Sequence, residues 1–201
     1  MRASEPEEVE RGIEEMRVLR ISLQCTAFIV LFIFLACATT STKFSNLSKD
    51  ETYQVQTEKI LVINAFREPG YRMQFEDGFV TALKIRRIDA VVSYRVMPNP
   101  VVDNKDAIAV QAKSVGADTV FINRPLGVEQ KDGWVYTDGP DRSKIYLNTQ
   151  TDVYDIKSNR VVFSVSAKTR IQNRILYADQ IQSYIEDLVN MMSQTGLLPK
   201  Q

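Results

Sequence analysis

The chain has 201 residues, of which 25 are basic and 25 acidic, so its formal net charge at pH 7 is zero. A neutral chain lacks the electrostatic footprint of a protein that wraps nucleic acid, and we expect no nucleic-acid partner. Histidine is absent, which removes the commonest general base and metal ligand and every Ser-His or Cys-His arrangement. We therefore expect neither catalysis nor a cofactor, with an enzyme working through carboxylates or a Ser/Lys pair as the alternative.

An apolar run lies near the amino terminus. It reads ISLQCTAFIVLFIFLACA from Ile21 to Ala38, and Arg17 and Arg20 precede it. A basic stretch before a short apolar core is typical of an export signal. The strongly apolar part is shorter than the roughly 20 residues that cross a bilayer. The run therefore predicts a signal peptide over residues 1–36.

An acidic leader precedes the basic pair, which is atypical for a signal. Its six carboxylates are Glu5, Glu7, Glu8, Glu10, Glu14 and Glu15. Met16 stands directly before Arg17, and we interpret residues 1–15 as a mis-assigned start. Translation from Met16 produces an ordinary signal.

The end of the apolar run carries the more specific motif. Phe34, Leu35, Ala36 and Cys37 resemble the lipobox of bacterial lipoproteins, in which a small residue precedes a cysteine that receives diacylglycerol before cleavage. The resemblance implies a lipid anchor on Cys37 in the cell envelope. Ala38 follows instead of Asp, which by similarity to enterobacterial sorting implies the outer membrane, facing the periplasm. An uncleaved anchor with an incidental Cys37 is the alternative.

The segment after Cys37 is rich in Thr, Ser, Lys and Asn and has no helical periodicity. This composition is typical of a flexible tether, which we place over residues 37–57. We expect one globular domain over residues 58–198. It holds no cysteine, so no disulfide stabilises it.

The first half of this domain alternates strands and helices. Lys59–Phe66 is a short apolar run that predicts a strand buried on both faces. Apolar residues at helical spacing predict an amphipathic helix over Tyr71–Arg86. Its inner stripe is Met73, Phe75, Phe79, Val80 and Leu83, which leaves Arg72, Glu76 and Asp77 largely outside; we expect Glu76 and Asp77 on a solvated face.

A second strand is predicted over Asp89–Met97. The next helix follows Pro100, with Asp103 as its cap, and ends at Gly116. A third strand is predicted over Asp118–Asn123. Alternation of this kind indicates parallel strands joined by right-handed crossovers.

The second half has a different pattern. Lys144–Asp155 and Arg160–Arg170 alternate and are joined by the turn IKSN, which predicts an antiparallel hairpin. A last amphipathic helix is predicted over Tyr177–Met192. The predicted fold class is therefore α/β (α+β), a βαβαβ parallel core extended by a hairpin and a C-terminal helix into one mixed sheet.

Several short stretches are similar to those of uncharacterised exported lipoproteins: FEDGF (Phe75–Phe79), SY (Ser93–Tyr94), GAD (Gly116–Asp118) and DVYD (Asp152–Asp155). With the element order and the anchor, the domain resembles small α/β domains of Gram-negative envelope proteins, including the amino-terminal domain of TolB and the curli secretion lipoprotein. The resemblance covers about residues 59–198 and implies no particular chemistry.

Two candidate contact sites remain. The carboxyl ends of parallel strands form a crevice, which places Arg67 and Arg124 near one rim, where they would hold an anionic group. Solvated loop charges are the alternative reading. Trp134 and Tyr136 lie in a loop between two Asp-Gly pairs, as an exposed protein or lipid contact or as core at the sheet edge.

The same loop carries Asp132, Asp138 and Asp141, but their spacing fits no EF-hand, and we expect no metal. We expect a non-enzymatic lipoprotein that binds a protein partner or assembles in the envelope. A periplasmic small-ligand binder with a rim at Arg67 and Arg124 is the alternative function.

Overall fold

The structure is a computed structural model that describes residues 42–53, 57–98, 102, 104–131, 144–172 and 174–198. The predicted signal peptide, Cys37, Asp103, and the loop with Trp134 and Tyr136 lie outside the described residues. The predictions made for them stay predictions.

The described residues form six strands and three helices. In chain order they are β1 (Thr42–Lys49), β2 (Lys59–Asn64), α1 (Pro69–Ile85), β3 (Asp89–Val92), α2 (Lys105–Ser114), β4 (Thr119–Lys131), β5 (Lys144–Asp155), β6 (Arg160–Ile171) and α3 (Ala178–Gln194). The strands form one sheet in the order β1-β6-β5-β4-β2-β3. Strand β2 is parallel to β3 and β4, and the other pairs are antiparallel. The predicted fold class is confirmed.

Local signals explain why the helices begin and end where they do. The Glu68 carboxylate accepts hydrogen bonds from the first free N–H groups of α1, those of Gly70 and Tyr71. Asn104, one residue after the predicted cap, accepts from Ala107 N and begins α2. Gly116, with φ of 69°, follows α2 in the left-handed conformation that glycine adopts at low cost.

The helices cover the two faces of the sheet unequally. Helices α1 and α3 pack on one face and enclose the larger core, which includes Phe75, Phe79, Phe121 and Phe163. Helix α2 packs on the other face, over a smaller core centred on β2 and β4. Among the described residues no helix covers that second face on β5, β6 and β1, which is why its side chains there are polar.

Strand β1 corrects the predicted tether. Thr42 pairs with Thr169 and Lys49 with Phe163, while Phe44 packs against the larger core, so residues 42–49 belong to the folded domain. The register shifts between Ser45 and Ser48. This bulge interrupts the period-two pattern that reveals a strand in sequence, and an edge strand with one solvated face is polar in any case.

Helix α1 buries four residues of its predicted inner stripe, Phe75, Phe79, Val80 and Leu83, but exposes the fifth. Met73 is 45% exposed, whereas Arg72 and Glu76 are 5% and 0% exposed. The expectation that Glu76 lies on a solvated face is therefore wrong, although Asp77 is exposed as expected. The two buried charges are tolerated because each neutralises the other and both are fully hydrogen-bonded, as described below.

Two strands differ in length from their predictions. Strand β3 ends at Val92 because the next N–H groups, of Ser93 and Tyr94, donate to Glu76 instead of continuing the ladder. Strand β4 continues beyond Asn123 to Lys131, past a bulge between Pro125 and Gly127. Proline inside the strand hid this extension from the sequence pattern.

Candidate functional site

An open concavity of about 710 Å³ lies at the carboxyl ends of β2 and of the parallel part of β4. The structure brings Arg67, which follows β2, and Arg124, on β4, to this one concavity. Arg174 also lines it. Its apolar walls come from Phe66, Tyr71, Leu126, Val128, Leu147 and Leu176. Arg67 and Arg124, which the sequence places near one rim, thus line the same mostly apolar surface, and arginines lie at its rim.

Arg124 is engaged within the fold. Its guanidinium forms an ion pair with Asp152 on β5 and donates to Tyr154 Oη at 3.5 Å. Burial lowers the pKa of Arg124, but the hydrogen bonds to Tyr154 and Asp152 outweigh it, and the net pKa is raised. The side chain therefore stays charged with its charge already balanced, which weakens the case for a ligand anion there.

Arg67 differs from Arg124 in its surroundings. It is exposed, and among the described residues no carboxylate lies within ion-pair distance of it. Arg174 is also exposed and donates to Gln130 Oε1 at 3.4 Å. The rim charge available to an external anion therefore comes from Arg67 and Arg174 more than from Arg124.

Asp152 is the centre of a polar network on the open face of the sheet. It accepts from Ser164 Oγ at 2.7 Å and from Gln150 Nε2 at 3.2 Å. Gln150 in turn accepts from Ser166 Oγ at 2.8 Å. These residues alternate along β5 and β6, so the sequence pattern indicates that they share one face of the sheet. Which of them form hydrogen bonds depends on the register between the two strands.

A second charge pair lies on the same face of the sheet, nearer the end of β4 at Lys131 and the start of β5 at Lys144. Lys168 Nζ is 2.5 Å from Glu129 Oε2 and lies 4.7 Å from the centre of the Tyr146 ring. The hydrogen bond from Lys168 lowers the pKa of the Glu129 carboxyl. This face therefore presents balanced charge pairs rather than a field of one sign.

The buried charge cluster under α1 is closed. The Glu76 carboxylate accepts from three backbone N–H groups, from the Ser93 hydroxyl and from Arg72 Nε at 3.0 Å. Arg72 donates its remaining bonds to Ser93 Oγ and to the carbonyl oxygens of Met97 and Pro98. Every lone pair is engaged by the chain itself, so the cluster joins α1 to β2 and to the turn after β3 and offers nothing to a substrate.

A second buried polar group lies between α3 and the sheet. The Tyr184 hydroxyl accepts from Asn123 Nδ2 at 2.8 Å and is 3.0 Å from Thr149 Oγ1. Burial raises the pKa of Tyr184, which keeps the phenol neutral. Its role is to orient α3 on the sheet.

Two further features concern metal ions and the bilayer. Within the described ranges, no three His, Cys, Asp or Glu side chains are placed to hold a metal ion. No helix of the described residues is sufficiently long and apolar to cross a bilayer. The loop with Asp132, Asp138 and Asp141 and the apolar run before Cys37 lie outside those ranges.

Comparison with known proteins places the fold. No protein-family model and no curated protein matches the chain. The fold is similar to that of the PelC dodecamer from Paraburkholderia phytofirmans, with a TM-score of 0.51, 15% identity, and coverage of 80% of this chain and 100% of that one. At this identity the likeness shows the fold alone.

Solved bacterial lipoproteins also match. Lipoprotein GNA1162 from Neisseria meningitidis has a TM-score of 0.45 and 12% identity, covering 68% of this chain and 98% of that one. A minor lipoprotein from Acinetobacter baumannii has a TM-score of 0.32 and 12% identity, covering 72% and 98%.

Proposed function

We propose that this chain is a non-enzymatic bacterial lipoprotein, anchored by lipid on Cys37, which serves as a binding or assembly subunit in the cell envelope. The observation that carries the proposal is the short distance in sequence between Cys37 and the first strand of the folded domain. The apolar run ends at Cys37, and the folded domain already begins at Thr42 with β1. A cysteine at the junction between an apolar segment and a globular domain is the arrangement that lipidation requires.

Metabolic labelling tests the anchor. The full chain is expressed in a Gram-negative host with an alkyne-bearing palmitate, and the purified protein is analysed by intact mass. We expect label on the wild type, a mature chain that begins at Cys37, and recovery in the membrane fraction. Cys37→Ala should carry no label.

Cys25→Ala is the matched control, since Cys25 lies in the same apolar run but follows Gln24 rather than a small residue. It should be labelled and processed like the wild type. An unlabelled wild type that retains its apolar run would contradict the lipid anchor and favour an uncleaved segment. Loss of label in Cys25→Ala would contradict the assignment to Cys37.

The proposed location is the periplasmic side of the outer membrane. It rests on Ala38, the residue after the lipidated cysteine, and on resemblance to enterobacterial sorting. Sucrose-gradient separation should place the wild type with the outer membrane and Ala38→Asp with the inner membrane. Ala38→Ser is the control and should fractionate as the wild type; an unchanged position of Ala38→Asp would contradict the sorting proposal.

The proposed role in assembly has support from the fold. PelC, whose fold is similar, forms a dodecamer. Within the part of the chain that the structure describes, β1 and β3 are the outer strands of the sheet, and each pairs with one strand only. Crosslinking in intact cells, followed by mass spectrometry and sedimentation of the purified protein, should recover a homo-oligomer or one envelope protein. A protein that sediments as a monomer and gives no reproducible crosslink would contradict this role.

A further inference from the structure

Strand β1 enters the sheet at one identifiable end of the domain. Its first residue begins a row of paired residues that crosses four strands: Thr42, Thr169, Leu147 and Val128. We call this end of the sheet the entry end. The concavity lies at the same end, because residues that follow β2 and residues at the end of β6 line it.

Five peptide units separate Cys37 from Thr42, which allows a reach of at most about 18 Å. Val161, on β6, lies eight residues before Thr169 on the same strand, roughly 27 Å further along it. The tether is therefore shorter than the sheet, so a lipid on Cys37 would keep the entry end within about 18 Å of the anchor, whereas the opposite end can lie further away.

The entry end exposes large apolar side chains. Leu126 is 63% and Val128 is 51% exposed on the β4 extension, and Ile175 and Tyr177 are 43% and 42% exposed between β6 and α3. Leu126 and Val128 line the concavity, and Ile175 and Tyr177 flank Leu176, which lines it as well. Apolar side chains grouped on one exposed surface mark a contact with protein or membrane.

Among the described residues, the same end carries more cations than carboxylates. Six exposed basic residues surround the apolar side chains: Lys43, Arg67, Lys131, Lys144, Arg170 and Arg174. The carboxylates of the described residues there are Glu68, whose oxygens cap α1, Asp179, and Glu129, which pairs with Lys131 and Lys168. The opposite end mixes both signs, with six carboxylates among its cations: Asp50, Glu51, Glu58, Asp89, Asp118 and Asp155. The described residues of the two ends therefore differ in charge, although the formal net charge of the whole chain is zero.

From the short tether, the apolar side chains and the basic rim together, we infer that the entry end docks on a bilayer containing anionic phospholipids. Leu126, Val128 and Ile175 enter the interface while the surrounding cations bind lipid phosphates. Each cation near an anionic leaflet strengthens binding about fivefold. The inference rests on the proposed anchor at Cys37, which supplies the high local concentration that makes a modest surface sufficient.

Two matched dye positions test the docking. Lipidated full-chain protein in a Cys25→Ala background holds no free thiol, so Val128→Cys or Val161→Cys provides one labelling site each. Both valines are exposed on strands, one at the entry end and one at the opposite end. The labelled proteins are reconstituted in phosphatidylethanolamine vesicles with phosphatidylglycerol, and quenching by brominated lipid is measured.

The dye at position 128 should be quenched roughly fivefold more than the dye at 161, and high salt or replacement of phosphatidylglycerol by phosphatidylcholine should reduce the difference. Adding Lys144→Gln and Arg170→Gln should lower the docking constant about 25-fold. Equal quenching at both positions in anionic vesicles would overturn the inference. So would a difference of the same size in neutral vesicles, because the basic rim would then contribute nothing.

The anchor itself is verified first, by the intact mass of the lipidated protein. A protein without lipid on Cys37 would contradict the proposed function before any vesicle is made. A lipidated protein with equal quenching would contradict only the docking. The two failures are therefore distinguished by separate measurements.

Discussion

Two arginine–carboxylate pairs with the same chemistry lie in different layers of this molecule. Arg72 and Glu76 are enclosed between α1 and the sheet, with side chains 6% and 0% exposed. Arg124 and Asp152 lie on the uncovered face, with side chains 23% and 13% exposed. The first pair has all its bonds within the chain, whereas the second borders a concavity open to solvent.

The difference shows how burial assigns a role to a charge. A buried ion recovers its lost hydration only from fixed partners, so the surroundings of Glu76 must be complete for the fold to form. An ion pair at the edge of the solvent keeps some contact with water, so Arg124 and Asp152 depend less on fixed partners than Arg72 and Glu76 do. Charges available for external contact are therefore found on the open face and at the entry end, not under α1.

The largest expected effect is at the buried pair. Glu76→Gln replaces one of the two acceptor oxygens by an NH2 group, which is a donor and would face the N–H groups that Glu76 binds. It also leaves the charge of Arg72 uncompensated. We expect the free energy of unfolding to fall by about 3 to 5 kcal/mol. Urea denaturation followed by circular dichroism measures it, with the exposed Asp77→Asn as control. A loss equal to that of Asp77→Asn would show that the buried pair is not essential.

A smaller effect is expected at the open pair. Asp152→Asn should lower the free energy of unfolding by about 1 kcal/mol, since Arg124 retains Tyr154 and water. Double-mutant cycles with alanine at both positions should give a coupling energy of about 1 kcal/mol or less, well below that of Arg72 with Glu76. Coupling energies of the same size would remove the distinction between the two layers.

The smallest effect, of opposite sign, is expected at a carboxylate that has no cationic partner among the described residues. Burial raises the pKa of Asp187 on α3, and the neighbouring Glu186 raises it further. The charged form is therefore disfavoured in the folded state. Asp187→Asn should raise the free energy of unfolding at pH 7 by less than about 1 kcal/mol.

The pH dependence of this gain has a defined sign. Wild-type Asp187 binds its proton in the folded state at a higher pH than in the unfolded state. The charged form of Asp187 lowers the free energy of unfolding by its full amount at a pH above the folded-state pKa. This loss, and with it the advantage of Asp187→Asn, disappears as the pH falls to the unfolded-state pKa near 3.9. Thermal melts at pH 7 and pH 3.5 measure it, and an advantage that grows on acidification would contradict the assignment.

Part of the candidate site was predictable. The apolar run before Arg67 and the strand that contains Arg124 indicate parallel neighbours, whose carboxyl ends meet at one edge, and both arginines do line one concavity. The pairing of Arg124 with Asp152 was not predictable. Arg124 stands opposite Gln150, so Asp152 reaches it diagonally. This contact depends on the register of β4 against β5, which the long connection over residues 132–143 does not fix in the sequence.

The sequence by itself determined the order and type of most elements. Continuous apolar runs, helical periodicity and turn signals such as Pro69 and Gly116 are local, so they can be read without the fold. Tertiary structure alone decided that Thr42–Lys49 is a strand and that Glu76 is buried. A bulged edge strand is stabilised by its partner β6, and a buried carboxylate by donors that come from β2 and from the turn after β3. Such partners are distant in the chain, and only folding brings them together.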